Sequence, residues 1–221
     1  MHASHSLTAA RAARLVRMYT PAHATQSDPA ALREMAAAIR FAVLFTAGPG
    51  GPLATHLPLV WDGEATLVGH VARANPHWRD LEAGAPAIAV FQGPQAYVSP
   101  ALYPSKQVHG KVVPTWNYVA VHAAGTAFAV DGAEEKHRIV SLLTDTQEAP
   151  RAEPWAVTDA PEPFVAAQLR GIVGIRIAVT GLTGSWKLSA NRDAADHAGV
   201  RAGLAQGDAM AQALAAMMER R

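Results

Sequence analysis

The chain has 221 residues, half of them hydrophobic, with 19 Lys and Arg against 18 Asp and Glu and a formal net charge of +1. That length suits one domain, or one domain with appendages, and the composition supports a real core. No run approaches the roughly 18 apolar residues of a membrane helix, the near-neutral charge gives no global pull toward nucleic acid, and the lack of Cys excludes disulfides, thiol nucleophiles, thiolate zinc sites and Cys-held iron–sulfur clusters.

Residues 1–17, MHASHSLTAARAARLVR, carry Arg11, Arg14 and Arg17 and no acid. They suit an organellar transit peptide, or a disordered extension before an alternative start at Met18, and the second reading is adopted. No long apolar secretory segment is present, so a cytoplasmic protein is expected. Residues 27–40 predict a helix. Ser27 or Asp28 can cap it, Pro29 suits the first turn, and Leu32, Met35, Ala36 and Ile39 share one face. Apolar runs at 42–47 and 52–62 around GPGG (48–51) predict a β-hairpin. Residues 65–72 add a third strand, making a meander. Residues 75–84 predict a short helix capped by Asn75, with Pro76 first and Gly84 ending it. Residues 86–93 and 96–99 predict two strands, and 100–111 a loop. Residues 115–131 give the longest strand pattern, with Gly125 as a bulge or bend. An amphipathic helix is expected at 133–148, a linker at 151–161 and a short helix at 162–170. Two final strands are expected within 171–189, and the tail from Asp193 is helical. Many short antiparallel strands favour a barrel over a helix-covered parallel sheet.

Four stretches hold the residues with chemical potential. In THLP (55–58), Thr55 and Leu57 face one way and His56 and Pro58 the other. Pro58 suggests an edge or bulge, where either a buried His or a ligand-facing backbone is possible. In GHVARANPHW (69–78), His70 and Arg73 lie near a helix start at Asn75. This is either an anion site or a capped helix beside a solvated Arg. In GSWKLSANR (184–192), Trp186 and Leu188 share one face while Lys187, Ser189 and Asn191 share the other. That polar stripe faces solvent or supplies a cation to a phosphate. In VPTWNYVAVH (113–122), Thr115, Asn117, Val119 and Val121 oppose Trp116, Tyr118 and His122. The aromatics either anchor the sheet from inside or meet a partner subunit. No dinucleotide or Walker loop, HExxH helix or GxSxG elbow occurs, so no metal site and no catalytic residue is assigned.

Taken in order, MYTPAH (18–23), ATHLPL (54–59), GHVARANPHW, FQGPQAYVSP with YPSK (91–106), VPTWNYVAVHAAG (113–125), RAEPWAV (151–157), GIVGI (171–175) and WKLSANR (186–192) resemble the PaiB-like family of FMN-binding negative transcriptional regulators. The resemblance covers roughly residues 18–205. It implies a mainly β fold with flanking helices (α+β), a split β-barrel of the pyridoxamine-oxidase and flavin-reductase type. It also implies a homodimer with FMN in grooves between subunits. By position it puts Thr55, His56, Leu57 and Pro58 against the flavin ring, and His70, Arg73 and Asn75 near its phosphate. Where relatives carry a Ser-Arg-Lys-like run, this sequence has Arg73, Ala74 and Asn75, and Lys187 supplies the second cation. Asn117, Trp186, Asn191 and Arg192 complete the expected FMN set. The expected layout is an extension (1–17), an FMN-binding split-barrel domain (18–192) and a helical C-terminal tail (193–221). The implied function is negative regulation of transcription, and the alternative is a flavin-dependent oxidoreductase on the same scaffold. DNA enters as a partner through the resemblance alone.

Overall fold

A computed structural model describes residues 18–48 and 50–219. The expected extension at 1–17 lies outside the described residues. Eight strands are described: β1 (Thr25–Gln26), β2 (Phe41–Gly48), β3 (Gly51–Pro58), β4 (Val60–Trp61), β5 (Thr66–Ala72), β6 (Ala85–Val98), β7 (Thr115–Val130) and β8 (Ile172–Lys187). The helices are α1 (Pro29–Ile39), α2 (Ser105–His109), α3 (Ala133–Glu148), α4 (Glu162–Arg170), α5 (Ala194–Leu204) and α6 (Ala209–Met218). Hydrogen bonds order the strands β3-β2-β6-β7-β8-β5-β4, with β1 on β8. The chain divides into two compact units. One holds residues 36–91 and 122–182, the other 18–35, 92–121 and 183–219, and β6, β7 and β8 run through both.

In the first unit, the β2–β3 hairpin runs in register from Phe41 opposite Pro58 to Gly48 opposite Gly51. The other flank of β2 pairs with β6, and β5 pairs with β8, all antiparallel. The expected three-strand meander is therefore corrected, because β5 lies between β8 and β4 rather than beside β3. The ladder of β3 stops at Pro58, which has no N–H to donate. The chain then turns through the short β4. A Cβ on Gly69 of β5 would sit 2.5 Å from the Pro58 carbonyl oxygen, so the end of β3 packs against β5 by close backbone approach. Gly125 of β7 has the same role, since a Cβ there would strike the Ala178 carbonyl. Helix α3 places Ile139 and Leu143, one turn apart, against Val60 and Val68. Each such buried side chain contributes roughly 1.5–3 kcal/mol.

In the second unit, β1 pairs with the end of β8, Thr25 opposite Ser185. Asp193 caps α5 and Asp208 caps α6, each accepting from a backbone N–H three residues on. Val200, Leu204, Leu214, Ala215 and Met218 are buried. Gly199 and Gly203 do not interrupt α5. They lie inside α5, where a Cβ would strike the Leu102 backbone or side chain.

Three further expectations are revised. The strands at 86–93 and 96–99 are one strand, β6, which passes through Gly93 and Pro94 unbroken. The two final strands are likewise one, β8. The loop at 100–111 contains a 3-10 turn (Pro100–Leu102) and α2, ended by Gly110 at φ 66°.

Candidate functional site

The nominated residues fall into two groups, one within each unit. In the first unit, β3 ends the strand order, so its outer flank has no strand partner among the described residues. Thr55 and Leu57 are buried, and His56 is exposed and stacked on Phe41 at 6.2 Å between ring centroids. The alternative of a buried His56 is thereby removed. Pro58 is half-buried at the strand end.

Thr55 belongs to a buried polar network that sequence reading did not single out. The His77 ring lies between two hydroxyls, with Thr55 Oγ1 2.8 Å from Nδ1 and Thr46 Oγ1 2.7 Å from Nε2. Asn75 caps the 3-10 turn Pro76–Leu81 by accepting from the His77 N–H, and its Nδ2 donates to Thr55 Oγ1 at 3.2 Å. Burial pushes the His77 pKa below its ordinary value, and the Asp80 carboxylate partly offsets this. His77 is 3% exposed, so the neutral ring with both nitrogens satisfied is the low-energy state. The local signal was Asn-Pro-His, a cap followed by a His on the first turn.

Arg73 is held within its unit by four hydrogen bonds. Its Nε donates to the Arg170 carbonyl at 2.8 Å and its terminal nitrogens donate to both Asp131 oxygens and to the Ile172 carbonyl. Lys136, 5% exposed, donates to the same carboxylate at 2.9 Å. These two cations, Arg73 first, hold the Asp131 pKa down at about 2. The guanidinium expected to face an anion thus ties the end of β5 to β7 and β8. His70 on β5 is half-buried, and burial lowers its pKa. Its Nδ1 has no hydrogen-bond partner among the described residues.

In the second unit, the structure brings Asn117, Lys187, Asn191 and Arg192 together. They line a cavity of about 130 Å³ with His23, Thr115 and Ser189. Alternation along β8 turns Lys187 toward the cavity and Trp186, 7% exposed, into the core beside Leu32 and Gly184. Trp186 therefore does not line it. Lys187 Nζ donates to Thr115 Oγ1 at 2.8 Å. Asn117, 1% exposed, donates to Ser189 Oγ, and that hydroxyl donates back to Asn117 Oδ1. Ser189 adopts φ 59°, a left-handed conformation uncommon for a residue with a Cβ. A turn follows, closed by the Arg192 N–H on the Ser189 carbonyl. The Arg192 guanidinium lies 4.7 Å from the Tyr103 ring centroid. On the opposite face of β7, Trp116 is 53% exposed and meets Tyr97 edge-on. The buried-anchor reading of Trp116 is corrected.

Comparison with known proteins decides what holds these features in common. Residues 18–181 match the family model described as "Putative FMN-binding domain". The chain belongs to this FMN-binding family. Its PaiB-like character is carried by 35% identity over 163 residues to "Protease synthase and sporulation protein PAI 2" of Bacillus subtilis, covering 72% of this chain and 76% of that protein. Among solved structures, it is similar to an FAD and heme binding protein from Mycobacterium smegmatis, with TM-score 0.57 and 19% identity over 79% and 78% of the two chains. It is also similar to the flavocytochrome Anf3 from Azotobacter vinelandii, with TM-score 0.52 and 13% identity over 79% and 74%. At those identities the likeness establishes the fold, an antiparallel split β-barrel with flanking helices. FMN is the cofactor assigned by the family.

Proposed function

We propose that this PaiB-like chain is an FMN-dependent redox protein that works as a homodimer in the cytoplasm. The family match over 18–181 is the observation that carries it. The residues present fit an anionic cofactor, because the cavity lined by Lys187 and Arg192 has no carboxylate in its lining. The unpaired flank of β3 at Thr55–Pro58 is proposed to border the flavin, with Thr55 held in place by His77 and Asn75. FMN when bound supplies hydride and single-electron transfer, and the chain supplies binding and orientation.

The dimer is supported by an uncovered apolar face in the first unit. Phe41 is 59% exposed and Phe45 40%, and Phe45 has Ala54 and Ile88 as cross-strand neighbours. A contiguous patch of this kind suits a self-complementary interface. Phe45→Lys is expected to convert a sedimenting dimer to monomer, and an unchanged sedimentation coefficient refutes that interface. The redox reading is tested by flavin absorbance in the purified protein and by its bleaching with a reduced nicotinamide under anaerobic conditions. Bound flavin that no nicotinamide reduces counts against it. Negative regulation of transcription is the second reading, favoured by the identity to the B. subtilis sporulation protein. The net charge of +1 offers little of the phosphate-binding surface that direct DNA binding uses. A gel shift that depends on the flavin's redox state would favour it.

A further inference from the structure

We propose that the Lys187–Arg192 cavity is an oxyanion site, which takes a phosphate or carboxylate group through Lys187, Arg192 and Asn191. The charge on its walls argues this first. Its lining holds two cations, Lys187 and Arg192, and neither Asp nor Glu. Lys187 is half-buried, and its one polar partner among the described residues is the neutral Thr115 hydroxyl. A half-buried ammonium without counter-charge is costly, and an incoming oxyanion removes that cost. Arg192 rests on the Tyr103 face with no side-chain hydrogen bond among the described residues, so its guanidinium donors are unspent, although the Asp196 carboxylate lies within electrostatic range of it. Asn191 is exposed at the same wall.

Size narrows the ligand. A cavity of about 130 Å³ holds roughly four waters and falls well below the roughly 300 Å³ at which pockets begin to enclose whole drug-sized ligands. It therefore takes a terminal group and not a flavin ring. The walls are built rather than incidental. The reciprocal Asn117–Ser189 pair is buried, the left-handed Ser189 turns the chain back, and Asp193 capping α5 fixes the residue after Arg192. Arg73 offers the contrary case, since Asp131 and two carbonyls occupy its donors.

Two sources share this chemistry: the 5′-phosphate of FMN, which rests on the flavin reading above, and a free or substrate-borne oxyanion. The test measures affinity for FMN, riboflavin and inorganic phosphate in the full chain and in Lys187→Met and Arg192→Gln. Flavin is followed by fluorescence titration and phosphate by calorimetry. If the flavin phosphate is the source, Lys187→Met weakens FMN about 10- to 100-fold and leaves riboflavin unchanged. If the source is a separate oxyanion, both flavins bind as before and phosphate affinity falls by a similar factor. Unchanged affinity for FMN and phosphate in both variants overturns the site. A wild-type chain that binds phosphate through this cavity but no flavin overturns the flavin reading and retains the site. Should either variant fail to fold by circular dichroism, phosphate titration of the wild-type side-chain amide resonances of Asn117 and Asn191 decides. Movement supports the site and silence refutes it.

Discussion

Arg73 and Lys187 entered as two cations of equal promise and end in opposite circumstances. Arg73 sits at a strand end with a carboxylate, two carbonyls and a second cation around it. Its donors are largely taken by Asp131 and the carbonyls before any ligand arrives, although it shares that one carboxylate with Lys136. Lys187 sits on a strand with one neutral hydroxyl as partner and a cavity in front of it. The difference teaches that a cation's value to a ligand depends on what already neutralises it. Residue type and nearness to a helix start do not decide that.

In the first unit the Thr46–His77–Thr55–Asn75 groups are closed upon one another, and breaking that closure has the largest expected effect. His77→Leu leaves the Thr46 hydroxyl buried without its ring partner and the Thr55 hydroxyl with Asn75 alone. The expected cost is about 2–4 kcal/mol in urea unfolding. A loss below roughly 0.5 kcal/mol would show that the hydroxyls find other partners. pH dependence sharpens the same point. Burial lowers the folded-state pKa of His77, and also of His70 and His122 in that unit. Their protonation in the unfolded chain therefore withdraws stability as pH falls below the ordinary value of 6.5. His77→Leu should flatten part of that decline, and an identical pH profile would assign it to the other two.

Asp131→Asn probes the closed cation pair. Its folded-state pKa of about 2 lies below the ordinary 3.8. Its contribution is thus present in full above 3.8 and is lost as pH falls through about 2. The carboxylate is 54% exposed, so screening limits the effect to about 1 kcal/mol at neutral pH. Wild type and variant should converge in denaturation midpoint only once pH falls below about 2. A gap that persists there would mean that packing, and not charge, is what the substitution removes. If Arg73 is a clamp, Asp131→Asn also leaves oxyanion affinity nearly unchanged, and a gain in affinity would return Arg73 to the list of ligand residues.

What the sequence revealed follows the range of the interactions involved. The bounds of α3 and α4 were readable because periodicity and flanking Gly and Pro act within a few residues. The alternation that turns Thr55 inward and His56 outward, and Lys187 away from Trp186, is equally local. The strand β6 was read as two because Gly93-Pro94 carries turn chemistry, which the neighbouring strands override. The pairing of Arg73 with Asp131 spans 58 residues, and no local pattern announces it. Ser189 gave no signal either, since a left-handed residue with a Cβ is set by the buried amide of Asn117 across 72 residues.

The smallest effect tests the open cation most finely. Thr115→Val keeps the side-chain shape and removes the hydroxyl that accepts from Lys187 Nζ at 2.8 Å. If Thr115 only aims the ammonium, the loss is that of one orienting hydrogen bond, roughly 0.5–1 kcal/mol, or two- to fivefold in oxyanion affinity. The loss should also vanish when Lys187 is already Met, because the two residues act as one unit. A drop beyond about tenfold, or one that persists in the Lys187→Met background, would mean that the Thr115 hydroxyl touches the oxyanion directly. Thr115 would then be a ligand-binding residue in its own right, and the bond it makes to Lys187 would be the resting state that the ligand displaces.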